Sequence, residues 1–226
     1  MKRSLVAFSL MIILVALNSF ASETLTTDPS QLEIKQGVTY KKGESIPFSG
    51  KVVSSDANGQ KKSEFHYQNG ERHGKATFWD KSGQKESEEY YQNGKRHGKA
   101  TIWDESGHKE SEEYYQNGIR HGIAVTWHEN GHKESEENFQ EGKREGTSTH
   151  WHANGKQSRE MSYQKGQLHG SFTEWYENGN KKLEVTYSSG QKNGTESLWD
   201  ESGQLIETMK WREGVLVEEG SSSEPK

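Results

Sequence analysis

The chain has 226 residues, with 29 Lys and Arg against 34 Asp and Glu, no Cys, and only 28% apolar residues. Leu, Ile, Val and Phe together make up about 15% of it, below the ~20% at which a packed globular core becomes doubtful, yet 7 Trp, 9 Tyr and 7 Phe are more than a solvating tail carries. The lack of Cys excludes a disulfide scaffold and thiolate metal centres, and the mildly acidic balance is a poor match to nucleic-acid binding by counterion release.

In chain order, Met1-Lys2-Arg3 is a short basic stretch, residues 5–17 are an almost unbroken apolar run, and Ser19-Phe20-Ala21 puts small residues at −3 and −1 of a cleavage site. This predicts a signal peptide over 1–21, because the run falls short of the ~20 apolar residues of a spanning helix. Cleavage there leaves 226 − 21 = 205 residues with a charge of 27 − 34 = −7, no transmembrane span, and a periplasmic or secreted, cell-envelope location. Residues 22–49 read as an N-terminal linker and capping segment, with 39–49 as the cap itself.

From residue 50 to 214 the glycines fall on three combs, each advancing by 24. One runs from Gly50 through Gly74 to Gly194, the second from Gly59 through Gly83 to Gly203, and the third from Gly70 through Gly94 to Gly214. Aromatics keep the same step: Trp79, Trp103, Trp127, Trp151, Trp175 and Trp199 on one comb, and Tyr67, Tyr91, Tyr115, Phe139, Tyr163, Tyr187 and Trp211 on another. Glu64, Glu88, Glu112, Glu136, Glu160 and Glu184 form a third series. Such a period marks seven copies of one supersecondary unit.

Within residues 74–96, a segment bearing Thr, Phe and Trp leads to a polar turn closing on Gly83. A second segment then runs into Tyr90-Tyr91 and Asn93-Gly94. Gly-containing turns between short β-prone segments predict a hairpin, and a Gly every few residues excludes a helix. The fold expected is all-β, an elongated single-layer antiparallel meander of about 14 strands, roughly 67 Å long at ~4.8 Å per strand. A three-residue loop at Lys81-Ser82-Gly83 sets Asp80 opposite Gln84 and places Trp79 on one face with Thr77 and Tyr91. The alternative two-residue loop groups Trp79 with Tyr90 and Glu88. One unit alone lacks ladder partners, so stability comes from neighbours, and the end strands need caps. Val215-Leu216-Val217, within a C-terminal segment of 215–226, is the expected closing strand, or else an edge for self-association.

Apparent catalytic motifs have plainer readings. His128-Glu129-Asn130-Gly131-His132 has the spacing of a zinc-protease helix, but the same positions in adjacent units are hairpin turns. His73, His97, His121 and His169 share one unit position, read as a turn, and same-position residues lie two strands apart, about 9.6 Å, too far to share a metal. The repeated KESEE strands with Lys95-Arg96 and Lys143-Arg144 at turns suggest an acidic band with a basic rim. Neither catalytic nor metal-binding residues are expected, and no cofactor.

The unit runs aromatic, two residues, Gly, three residues, Gly, then Trp, Asn/Ser-Gly, Lys and Glu. It resembles the bacterial variant of the MORN repeat, found in proteins named after the YwqK-type antitoxin component and in exported proteins of 24-residue repeats. The resemblance covers about residues 38–217 and implies a single-layer sheet without catalytic activity that contacts other macromolecules. The expected function is a non-enzymatic, exported protein–protein interaction scaffold at the cell envelope, with toxin neutralisation as one form. The alternatives are an aromatic ladder for cell-wall glycan or choline-type ligands, and a structural or adhesive surface role. The partner-binding residues are not assigned by the sequence.

Overall fold

The computed structural model describes residues 26–221; the expected signal peptide, and residues 222–226 of the polar tail, lie outside them. Each unit is a hairpin. The seven are Gly50–Ser55 with Lys61–Gln68, Glu71–Trp79 with Lys85–Gln92, Lys95–Trp103 with Lys109–Gln116, Gly122–Trp127 with Lys133–Gln140, Gly146–Trp151 with Gln157–Gln164, Gln167–Trp175 with Lys181–Ser188, and Gly194–Trp199 with Leu205–Arg212. Successive hairpins pair in chain order into one open antiparallel sheet. No helix among the described residues is long and apolar enough to cross a membrane.

The three glycine combs do three different jobs. Asn69 (φ 51°) and Gly70 (φ 79°) form a two-residue loop between paired Gln68 and Glu71. Positive φ at both positions is the type I′ turn, whose twist matches that of the flanking strands. At the other end Asp80 N–H donates to Gln84 O at 2.9 Å and Gly83 N–H to Asp80 O at 3.2 Å, with Gly83 at φ 87°, which is the expected three-residue loop. The third comb marks a bulge: Phe65 pairs with Ala76 and Tyr67 with Arg72, so His73, Gly74 and Lys75 oppose His66 alone. His73, His97, His121 and His169, expected in turns, stand at this bulge.

A second irregularity overturns one expectation. Trp79 pairs with Lys85 but Phe78 with Ser87, leaving Glu86 as an extra residue. A bulge shifts parity by one. Trp79 therefore shares its face with Thr77 and Glu88, as the rejected loop would have had it, and Tyr91 lies on the opposite face with Ala76 and Glu89. The loop length holds; the face does not. The ribbon accordingly has a tryptophan face and a tyrosine face, and all thirteen aromatic comb residues are half-buried except Phe139, which is buried.

Little else is deeply buried. Val52, Ala76, Met161 and Val185 pack on the tyrosine face, and Thr77, Thr101 and Thr173 on the other. A single layer whose rows of side chains cover one another needs no deep apolar core, which is how a chain this poor in aliphatics folds. The caps follow. Leu32–Lys35 and Val38–Lys41 form a separate hairpin that docks through Thr39 N–H on Gly70 O (2.9 Å) and Gly70 N–H on Phe48 O (2.7 Å), with buried Phe48 against Tyr67. Thr26–Thr27 runs parallel to Gly50–Ser55 at that edge. At the far end Val215–Ser221 closes the array on Leu205–Arg212, with a bulge at Val217 followed by Glu218 and Glu219, features that discourage edge-to-edge pairing.

Candidate binding groove

The KESEE strand carries three glutamates, and each has a different fate. The last of them lies on the tyrosine face. Glu89 accepts from Tyr91 OH at 2.6 Å and from Arg96 Nε at 3.2 Å, while the guanidinium sits 5.3 Å from the Tyr115 ring centre. Burial, then the bond to Glu89, pushes the Tyr91 hydroxyl pKa up. The rung repeats with Glu113, Tyr115 and Arg120, and with Glu137 and Arg144. Lys95-Arg96 and Lys143-Arg144 thus open strands rather than sit in turns. Arg96 and Arg144 do not make a basic rim, because each lies on a carboxylate of the preceding strand.

Elsewhere the rung changes as a set. Met161 and Leu168 make an apolar version. Next to the Glu184–Ser197 pair, Val185 stands where Glu89 does and Glu196 where Ala100 does: the carboxylate has crossed to the facing strand. There it meets Lys192 Nζ at 2.5 and 2.6 Å and Trp211 Nε1 at 2.6 Å.

The middle glutamate lies on the tryptophan face between lysines. Glu64 takes Lys51 and Lys61, both at 2.9 Å; Glu88 takes Lys75 (3.3 Å) and Lys85 (2.9 Å); Glu112 takes Lys99 (3.1 Å) and Lys109 (2.7 Å). Burial pushes these carboxyls up, but their lysine hydrogen bonds outweigh it and hold all three below the ordinary value. The same lysines cover the next unit's indoles: Lys61 over Trp79 at 5.4 Å, Lys85 over Trp103 at 5.8 Å, and Lys109 over Trp127 at 5.6 Å.

The first glutamate is the bulge residue. Glu86, Glu110 and Glu134 are exposed, and among the described residues none has an ion-pair partner. They line, with Trp79, Trp103 and Trp127, a groove of about 1650 Å³ along units 1–4, whose walls carry eight acidic against four basic residues.

Turn chemistry changes where the groove ends. Asp56, Asp80 and Asp104 accept backbone N–H groups of their own turns. In units 4–6 the turns reach across as well, whereas Asp200 of unit 7 again accepts from its own turn. His128 Nε2 bonds Trp151 O at 2.8 Å, His152 Nε2 bonds Trp175 O at 3.0 Å, and Tyr176 OH donates to Trp199 O at 2.9 Å. Asn130, Asn154 and Asn178 donate to Ala153 O, Glu177 O and Glu201 O. His132 Nδ1 also bonds Ala153 O at 2.8 Å, so both histidines of the zinc-like motif are engaged with the next turn's backbone.

Five stretches, residues 49–69, 72–95, 96–117, 120–141 and 168–189, match the MORN repeat variant family. The chain carries MORN-variant repeats. The matches fall on units 1–4 and 6; units 5 and 7 form the same hairpins. No curated protein matches the chain.

Proposed function

We propose that the protein is an exported, non-catalytic scaffold of the cell envelope that binds a protein partner through the tryptophan face of units 1–4. The observation that carries this is the groove: it runs past units 2–4, which keep Glu at the bulge where unit 1 has Lys62, and it ends where the turns become cross-linked. The bulge positions of later units are Ser158, Lys182 and Ile206, so the repeat preserves the fold while only its first half keeps these carboxylates. The competing reading, an aromatic ladder for sugar or choline, has less support, because lysine ammonium groups already occupy the indole faces such ligands stack on.

The test is capture from envelope extract by the intact protein and by a variant carrying Glu86→Lys, Glu110→Lys and Glu134→Lys, whose exposed positions leave folding intact. A partner held by the wild type and lost by the variant is the expected result. Equal capture by both, or none by either, rejects the groove. Neutralisation of a toxin is one form of such binding, checked by whether co-production with the captured partner rescues growth. Export is checked by fractionating cells that produce the chain with and without residues 1–21.

A further inference from the structure

The groove's chemistry specifies an occupant more narrowly than a protein partner. Every repeated strand carboxylate of units 2–4 is neutralised within the ribbon except the bulge row Glu86, Glu110 and Glu134, and that row stands beside half-buried Trp79, Trp103 and Trp127. Equivalent residues of adjacent units are two strands apart, about 9.6 Å. A polyproline II helix has three residues per turn and advances about 9.3 Å in that turn, so every third side chain points the same way at nearly this interval. A β-strand of three residues spans a similar length, but its side chains alternate and the third would face away. Polyproline II segments dock in aromatic-lined grooves because they are already extended and lose little entropy on binding.

We propose that the groove receives a proline-rich segment of a partner protein in the polyproline II conformation. It lies along the ribbon axis, with Lys or Arg at every third position facing Glu86, Glu110 and Glu134. This rests on the scaffold reading above and names the class of its partner. The excess of acid over base along the walls supplies the charge complementarity. The indoles, capped on one side by Lys61, Lys85 and Lys109, give the proline rings apolar edges to pack on. The three-unit acidic row limits recognition to three successive cations.

The probe is a twelve-residue peptide of four Lys-Pro-Pro triplets, titrated against the full chain by Trp fluorescence and calorimetry. The control is the same composition with its four lysines contiguous. The periodic peptide is expected to bind about tenfold more tightly than the control, and to lose about tenfold on Glu86→Gln, Glu110→Gln and Glu134→Gln, the scale of three exposed ion pairs. Circular dichroism melting of that variant should match the wild type. Equal binding of the two peptides, an unaffected triple variant, or no binding of either peptide overturns the proposal. If the peptides fail while the charge-reversed variant still loses its envelope partner, the polyproline reading falls and the scaffold reading stands.

Discussion

Moving the carboxylate of Glu196 to position 185, with Ala left at 196, tests whether the tyrosine-face rung is a transferable unit. Glu196 is 4% exposed and accepts from Lys192 and from Trp211 Nε1. Glu196→Ala leaves the indole N–H without an acceptor, while Lys192, 30% exposed, can turn to water; an unpaired buried donor sets the loss at about 2 kcal/mol. Val185→Glu removes a side chain that is 1% exposed and sets a second carboxylate beside Glu196, for about 3 kcal/mol. The double substitution recreates the arrangement of units 2 and 3, with the acid on the first strand, Ala opposite, a cation on the next strand, and Tyr187 placed as Tyr91 is to donate to the carboxylate. It should lose only about 2 kcal/mol, which leaves the cycle short of additivity by about 3 kcal/mol. Urea denaturation followed by circular dichroism measures all four proteins at one protein concentration. A double variant destabilised by the full sum of the singles would show that the rung is not a unit, and the reasoning would fail.

Three further expectations follow from the same geometry. Glu141, Lys165 and Glu213 hold φ near 50° in type I′ turns where earlier units have Asn, so Glu141→Asn, Lys165→Asn and Glu213→Asn should each stabilise by about 0.5 kcal/mol, read as raised denaturation midpoints. Glu64, Glu88 and Glu112 are held below their ordinary value of 4.5; depressed carboxyls contribute stability above that value and lose it as pH falls through their folded values. Melting temperature should therefore drop on acidification below about 4.5, and Lys75→Met with Lys85→Met should flatten that drop. Gly70→Ala would place its methyl 2.3 Å from Val38 Cγ1 and 2.9 Å from Thr39 O, whereas Gly190→Ala meets nothing within 4 Å at the same backbone angle. Melting curves should show about 1 kcal/mol lost at Gly190, and at least twice that, with undocking of the N-terminal cap, at Gly70.

The glycines announced the architecture before any coordinate did, because each comb marks a backbone angle that other residues resist. Hairpin count could be read from them, and the closing strand from Val215-Leu216-Val217. The face of Trp79 could not. The bulge that decides it falls at Lys62, Glu86, Glu110, Glu134, Ser158, Lys182 and Ile206, a position with no glycine, proline or shared chemistry to mark it. The rung was hidden for a related reason: Arg96 adjoins a turn in sequence, and only the register lays it on Glu89. The groove was hidden with the bulge, since its glutamates without an ion-pair partner are the residues the bulges add.

The side-chain bridges between successive turns, running from His128 and Asn130 to Tyr176 and Asn178, make the margin of the C-terminal half inextensible. Most turns of the N-terminal half are tied only to themselves, Gln60 on Lys81 O being the crossing made there. Bending that spreads or crowds the turns breaks bridges in one half and leaves the other nearly untouched, so the ribbon behaves mechanically as a stiff blade continued by a pliable one. Breathing of the groove, and any adjustment of its pitch to an occupant, is a low-energy deformation of units 1–3 that leaves the sheet ladder intact.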